Sequence, residues 1–162
     1  MKSPNLIKLT KAESEEEIEY VRVLFKEYAN WLAFDLCFQD FEKELNQLPG
    51  DYTPPDGRLL LAYYDSKVAG CVALRRFDDQ TCEMKRLYIR SEFRKKGVGR
   101  RLAVAIVDEA KKIGYKSMRL DTLSVMKEAL TLYHSLGFKK IESYRYNPIK
   151  GAIFLELNLT GK

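Results

Sequence analysis

The sequence predicts a mixed α/β fold: one sheet, mostly antiparallel but with a single parallel pair, covered by helices on both faces. Three observations predict it. Apolar runs between residues 58 and 90 are joined by polar turns of two or three residues, the pattern of antiparallel hairpins. An amphipathic helix then separates two strand-like runs, 81–90 and 117–122, and such a crossover makes its flanking strands parallel. Further amphipathic helices near both ends supply the covering layers.

The elements follow in order. Residues 5–9 read as a short first strand. Ser14 stands three residues before Glu17, a capping box that opens a helix. Ile18, Val21, Leu24, Phe25, Tyr28, Trp31 and Leu32 recur at spacings of three and four, which predicts one buried face. A second helix over 40–48 stops at Pro49-Gly50, and Pro54-Pro55-Asp56-Gly57 marks an irregular loop. Strands are expected at 58–64, 68–77 and 81–90, with turns at Asp65-Ser66-Lys67 and Asp78-Asp79. Alternation along the third of these puts Glu83, Lys85 and Leu87 on one face and Met84, Arg86 and Tyr88 on the other. A long helix begins near Gly97, buries Val98, Leu102, Ala105, Ile106 and Ala110, and stops at Gly114. A strand at 117–122, a helix at 126–136 ending before Gly137, and strands at 138–144 and 152–159 complete the order βααβββαβαββ.

Composition narrows the function classes. No linker, repeat or low-complexity tract divides the 162 residues, so a single domain over residues 1–162 is expected. With 46% hydrophobic and 31% charged residues the chain is a folded one and not a disordered one. Its longest apolar runs, such as Leu59-Leu60-Leu61-Ala62-Tyr63-Tyr64, are too short to cross a bilayer, and no apolar stretch behind Met1-Lys2-Ser3-Pro4-Asn5 reads as a secretory signal. A cytoplasmic protein is the expectation. Cys37, Cys71 and Cys82 lack C-x-x-C spacing and His134 is the only histidine, so neither a disulfide framework nor a metal site is expected. The net charge of +5 suits any polyanion, whether nucleic acid, an anionic membrane surface or a phosphorylated cofactor. Its distribution says more: Arg94, Lys95, Lys96, Arg100 and Arg101 place five positive charges within eight residues.

Those charges surround a strand, a Gly-x-Gly and a helix start. A helix start carries unpaired N–H groups and the positive end of the helix dipole, which together bind an anion. Glycines let a phosphate approach the main chain with no Cβ in the way. Arg94-Lys95-Lys96-Gly97-Val98-Gly99 therefore suits a pyrophosphate, the alternative being a glycine hinge with solvated charges. A Walker loop needs a longer Gly-to-Gly-Lys spacing, and in a dinucleotide fingerprint Leu102 would have to be glycine.

The segment resembles the acetyl-CoA-binding motif R/Q-x-x-G-x-G/A of the GNAT superfamily of N-acyltransferases, matching each defined position. Leu87-Tyr88-Ile89 resembles the strand end before that motif, and Ala129-Leu130-Thr131-Leu132-Tyr133-His134-Ser135-Leu136-Gly137-Phe138 resembles the later A-x-x-L-Y-x-x-x-G-F signature. The element order agrees over most of the chain, with 30–56 the part least covered.

The resemblance implies a GNAT-like fold in which the parallel pair splays and the pantetheine arm of acetyl-CoA lies in the gap. It implies that Leu87 and Ile89 bond the arm through their backbone, and that Arg94, Lys95, Lys96, Gly97, Val98, Gly99 and Arg100 meet the pyrophosphate. The reaction is then direct attack of an amine on the thioester, with no metal. Tyr133 matches the tyrosine that many members use as general acid toward the sulfur, its alternative being a core aromatic. Glu83 lies on the strand where several members carry a general-base glutamate, its alternative being an ion pair with Lys85 or Arg75. Many members have Asn where this chain has Met126. His134, one residue beyond Tyr133 on a helix, points about 100° away and reads as surface.

The acceptor, a small-molecule amine or an amino acid, is expected among the first two helices, the Pro54-Pro55 loop and the last hairpin. Glu27, Trp31, Phe38 and Asn147 are the residues singled out there, with Asp35, Gln39, Glu42, Arg145 and Tyr146 as neighbours. Neither nucleic acid nor a membrane is an expected partner, and a homodimer is compatible with the resemblance. Two rival readings are a non-catalytic acyl-CoA sensor and a nucleic-acid-binding module. For the second, only Tyr88 and Phe93 lie near the basic run.

Overall fold

The computed structural model describes residues 6–32 and 40–160. Among them the order is β1 (Ile7–Lys11), α1 (Glu15–Leu32), α2 (Phe41–Gln47), β2 (Arg58–Tyr64), β3 (Lys67–Arg76), β4 (Thr81–Ile89), α3 (Val98–Ile113), β5 (Ser117–Leu123), α4 (Lys127–Ser135), β6 (Lys139–Ile141) and β7 (Ala152–Asn158). The seven strands form one sheet in the order β1-β2-β3-β4-β5-β7-β6. Every neighbouring pair is antiparallel except β4 and β5, which run parallel as the crossover through α3 requires.

Alternation along the strands sorts side chains into two cores. On β2 and β3, Leu60, Ala62, Val72 and Leu74 meet α3 residues Leu102, Ile106 and Ala110. Leu59, Leu61, Cys71 and Ala73 meet Ile18, Val21, Leu24 and Phe25 of α1, with Leu45 of α2 and Tyr52. Helices thus cover both faces, and each face has its own apolar layer.

Local signals account for the helix ends. The Glu17 amide donates to Ser14 Oγ at 3.1 Å and the Ser14 amide to Glu17 Oε1 at 3.3 Å, the reciprocal capping box. Gly114, at φ 110°, closes α3 by donating to the Ala110 and Lys111 carbonyls. Burial fades along α1: Val21, Leu24 and Phe25 are sealed, whereas Trp31 is 47% exposed and leaves the expected buried stripe. Of the expected strand 138–144, only Lys139–Ile141 is paired, because Tyr144 and Arg145 turn inward to Glu83. Cys71 and Cys82 are buried free thiols, as small core residues would be, while Cys37 lies outside the described residues. Among the described residues no helix is long and apolar enough to cross a membrane.

Candidate active site

The site begins with one extra residue in β4. Cys71 pairs with Tyr88 and Ala73 with Lys85, so two steps on β3 face three on β4, and Arg86 takes a left-handed φ of 59°. This bulge overturns the expected faces of the strand. Met84 and Cys82 share the α3 side with Leu87 and Ile89, while Tyr88 packs on the α1 side and Arg86 bonds Glu44 of α2. Glu83 and Lys85 therefore lie on the face of Arg86 and Tyr88, not on that of Leu87. Strict alternation holds only while each residue on one strand has one partner on the next.

Beyond the bulge the parallel pair comes apart. β4 and β5 pair only at Thr81↔Ser117, Cys82↔Met118 and Glu83↔Arg119, although β5 stays paired with β7 as far as Leu123↔Ala152. The edges of 84–89 and 120–123 diverge, leaving a gap that opens toward both faces of the sheet.

On the α3 and α4 side the gap widens into a cleft of about 470 Å³. Leu87, Ile89, Ala129 and Leu132 give it apolar walls, and Arg94, Lys95, Gly97, Gly99 and Arg100 form one end. Lys95 and Gly97 have φ of 62° and 89°, an alternation of handedness of the kind from which backbone anion-binding nests are built. Gly97 caps α3 with no side-chain bond, so the first amides of that helix lack a protein partner from the cap. At Gly99 a Cβ would stand 3.6 Å from Ile89 and 4.0 Å from Leu132, narrowing the cleft at its turn.

The motif's side chains divide. The Arg94 Nε donates to the Ile89 carbonyl at 2.9 Å, and its guanidinium lies 4.6 Å from the Trp31 ring and 5.9 Å from Tyr88, so it forms wall. Trp31, expected on the acceptor, lines this cleft instead. Arg100 reaches Ser135 at the end of α4. The Lys96 ammonium lies over Tyr64, and the Val98 side chain is sunk in the core, so these two have only backbone to offer the cleft. Met126, bonded at its sulfur by Thr122, lines the cleft and also a small cavity on the opposite side of the gap.

That cavity belongs to the α1 and α2 face, and charged groups line it. Lys85 and Asp121, both nearly inaccessible, stand 3.8 Å apart, and the Asn147 side chain donates to Asp121 at 3.1 Å. Burial first, then the neighbouring Arg86, pulls the Lys85 ammonium down to about 8. Arg86 makes a two-point bond to Glu44, at 2.9 and 2.8 Å, and lies over the Phe41 ring. Glu44 lines a second cavity of about 210 Å³ with Tyr52 and Arg75, so the Arg86–Glu44 pair is the partition between the two.

Glu83 lies beside this partition, fully buried. Its Oε1 accepts from Arg75 Nε at 2.9 Å, and its Oε2 accepts from the Tyr144 hydroxyl at 2.9 Å and from Arg145. The ion pair with Arg75 is thus present. Glu27 is held by Arg90 through two bonds, at 3.0 and 2.8 Å, and lines neither cavity nor cleft. Tyr133 is 7% exposed against Phe138 and lines neither the cleft nor the two cavities. Burial holds its phenol above the usual tyrosine range, and Tyr28 and Asp121, which line the small cavity, add to that. His134 is exposed. Phe38, Asp35 and Gln39 lie outside the described residues. Asp121, Arg86, Glu44 and Tyr144 were not singled out from sequence. The available signal was charge in a sheet strand: Glu83, Lys85 and Arg86 interrupt a run that is otherwise apolar on both faces.

Comparison with known proteins follows this geometry. The family model described as "Acetyltransferase (GNAT) family" matches residues 18–138. An uncharacterized N-acetyltransferase of Schizosaccharomyces pombe is 36% identical over 99% of this chain and 99% of its own length. One of Dictyostelium discoideum is 33% identical over 91% and 97%. Among solved structures, the PaiA N-acetyltransferase of Thermoplasma acidophilum in complex with coenzyme A superimposes with a TM-score of 0.73 at 21% identity, covering 94% of this chain and 99% of that one.

Proposed function

We propose, for a chain that belongs to the GNAT family of acetyltransferases and is an acyltransferase by that membership, that it moves the acetyl group of acetyl-CoA to the primary amine of a small molecule or an amino acid. The observation that carries the reading is the single gap between β4 and β5. It lies between a cleft that ends at the cationic glycine turn on one face and a cavity of buried polar groups on the other, with Met126 lining both.

The turn and first helical amides at 94–100 take the pyrophosphate, helped by the Lys95 and Arg100 side chains. The unpaired edge at Leu87 and Ile89 bonds the pantetheine arm. This directs the thioester into the gap beside Met126, where the amine arrives from the other face. The neutral amine nitrogen attacks the carbonyl carbon, the C–S bond breaks, and the thiolate takes the Tyr133 proton. Water then restores that proton, and the new amide sheds its extra one to solvent. Burial keeps the Tyr133 phenol protonated at neutral pH but makes it a weaker acid, so the reading of Tyr133 as the acid rests on its place in the A-x-x-L-Y signature and not on its titration. Glu83 serves as the anchor of Arg75, Tyr144 and Arg145. A general-base role would need one of those bonds to open first.

Replacing Tyr133 by Phe is expected to lower kcat by about a hundredfold or more while calorimetric CoA binding persists. Undiminished turnover would remove Tyr133 from the mechanism. Failure of the wild type to bind CoA would overturn the reading as a whole.

A further inference from the structure

The cleft on the α3 and α4 side and the small cavity on the α1 and α2 side share one residue. Among the described residues Met126 alone lines both. It also lines an outer groove whose apolar walls are Leu32, Leu123, Val125 and Ala129, and no other residue belongs to all three linings. Direct transfer needs the thioester sulfur held from the cleft while the carbonyl carbon is open to an amine in the cavity. On the acetyl-transfer reading, the acyl group of the donor therefore lies against Met126, where the three spaces meet.

Both the backbone and the side chain of Met126 are held. Its amide donates to the Leu123 carbonyl at 2.9 Å, and its carbonyl accepts from the Leu130 amide at 3.0 Å. Its sulfur accepts from the Thr122 hydroxyl at 3.8 Å, and Thr122 is fixed in the sheet opposite Ile153 of β7. The cavity beyond is lined by the polar groups of Lys85, Asp121 and Asn147. An acyl chain longer than acetyl must displace Met126 or press methylenes against those polar groups, and either costs free energy. The outer groove offers apolar walls to a longer chain, and Met126 is the residue it shares with both the cleft and the cavity.

We propose that Met126 sets the length of the acyl group, admitting acetyl and excluding longer chains. This rests on the acetyl-transfer reading and concerns its donor, not its acceptor. Met126→Ala removes Cγ, Sδ and Cε, about the bulk of the methylenes by which butyryl exceeds acetyl. The shortened side chain opens the gap toward the outer groove, where those methylenes find apolar walls.

The test measures thiol release from acetyl-, propionyl- and butyryl-CoA, and each enzyme is read by its kcat/KM ratio between donors. The acceptor is the fastest amine in a panel of the common amino acids and aliphatic amines. The wild type is expected to lose about tenfold or more for each added methylene. Met126→Ala should narrow the acetyl-to-butyryl ratio by about tenfold or more, and Met126→Val should relieve propionyl more than butyryl. Leu132→Ala, which thins the cleft wall alone, should slow all three donors alike and keep the wild-type ratio. Equal use of the three donors by the wild type overturns the inference and leaves acyl transfer standing. So does a Met126→Ala enzyme that keeps the wild-type ratio, or a Leu132→Ala enzyme that relaxes it as far. If Met126→Ala fails to fold, the wild-type ratio and Met126→Val decide. Thiol release from no donor with any amine, with CoA still bound by calorimetry, overturns the acetyl-transfer reading and this inference with it.

Discussion

On the α3 and α4 face the site consists of a turn, a helix start and a strand edge, whereas on the α1 and α2 face it consists of buried charges. The first uses backbone geometry at 94–99 and apolar walls, with its groups close together in the chain. The second gathers Glu44 from α2, Arg75 from β3, Glu83, Lys85 and Arg86 from β4, Asp121 from β5, and Tyr144 to Asn147 from one loop. The difference teaches where tolerance lies. A backbone cradle survives most changes of side chain but not a change of dihedral. A charge cluster survives changes of dihedral but not the loss of one member, because each loss strands another charge.

Three substitutions press on this comparison. The largest effect is expected at Glu83. Glu83→Gln leaves Arg75 and Arg145 without their shared anion in a fully buried place, and should cost about 3–5 kcal/mol in denaturant unfolding. A loss below about 1 kcal/mol would show that the cluster is solvated in solution and not sealed. Next comes Gly97, whose φ of 89° disfavours any residue with a Cβ even though open space surrounds it. Gly97→Ala should cost about 1–2 kcal/mol, read as stability or as weaker CoA binding by calorimetry. Lys96→Ala, one residue away, should leave CoA affinity nearly unchanged because its ammonium lies over Tyr64. If instead Lys96→Ala proved the more damaging, the cradle would work through side chains.

The smallest effect is a slope. Burial lowers Lys85 to about 8, below its unfolded value, so the unfolded chain binds more protons above that pH and folding stability rises there. Relative to Lys85→Met, the wild type should gain about 1 kcal/mol between pH 8 and pH 9 in urea midpoints. Parallel stability curves for the two proteins would place Lys85 in solvent.

Legibility in the sequence follows the same division. The capping box at Ser14–Glu17, the glycine turn and the element order were readable because each depends on residues within one or two helical turns of each other. The bulge was not. Ala73 and Lys85 look like ordinary members of alternating strands, and only their register across the sheet inserts the extra residue at Arg86. The faces of Leu87 and Arg86 exchanged as a result. Trp31 fits the periodicity of a buried stripe, yet at the end of α1 it meets the Arg94 guanidinium and not the core.

By itself, then, the sequence determined the strand and helix order, the parallel pair flanking α3, and a glycine-containing turn at Arg94–Gly99 ahead of that helix. Only the tertiary structure decided how far β4 and β5 stay paired and which face each charge of β4 meets. It also decided that Glu83, whose partners lie on β3 and on a loop sixty residues downstream, is tied to Arg75, Tyr144 and Arg145. The physical reason is range. Dihedral preference and helical capping act over a few residues, while register and charge pairing are settled between segments that the chain brings together only when both cores close.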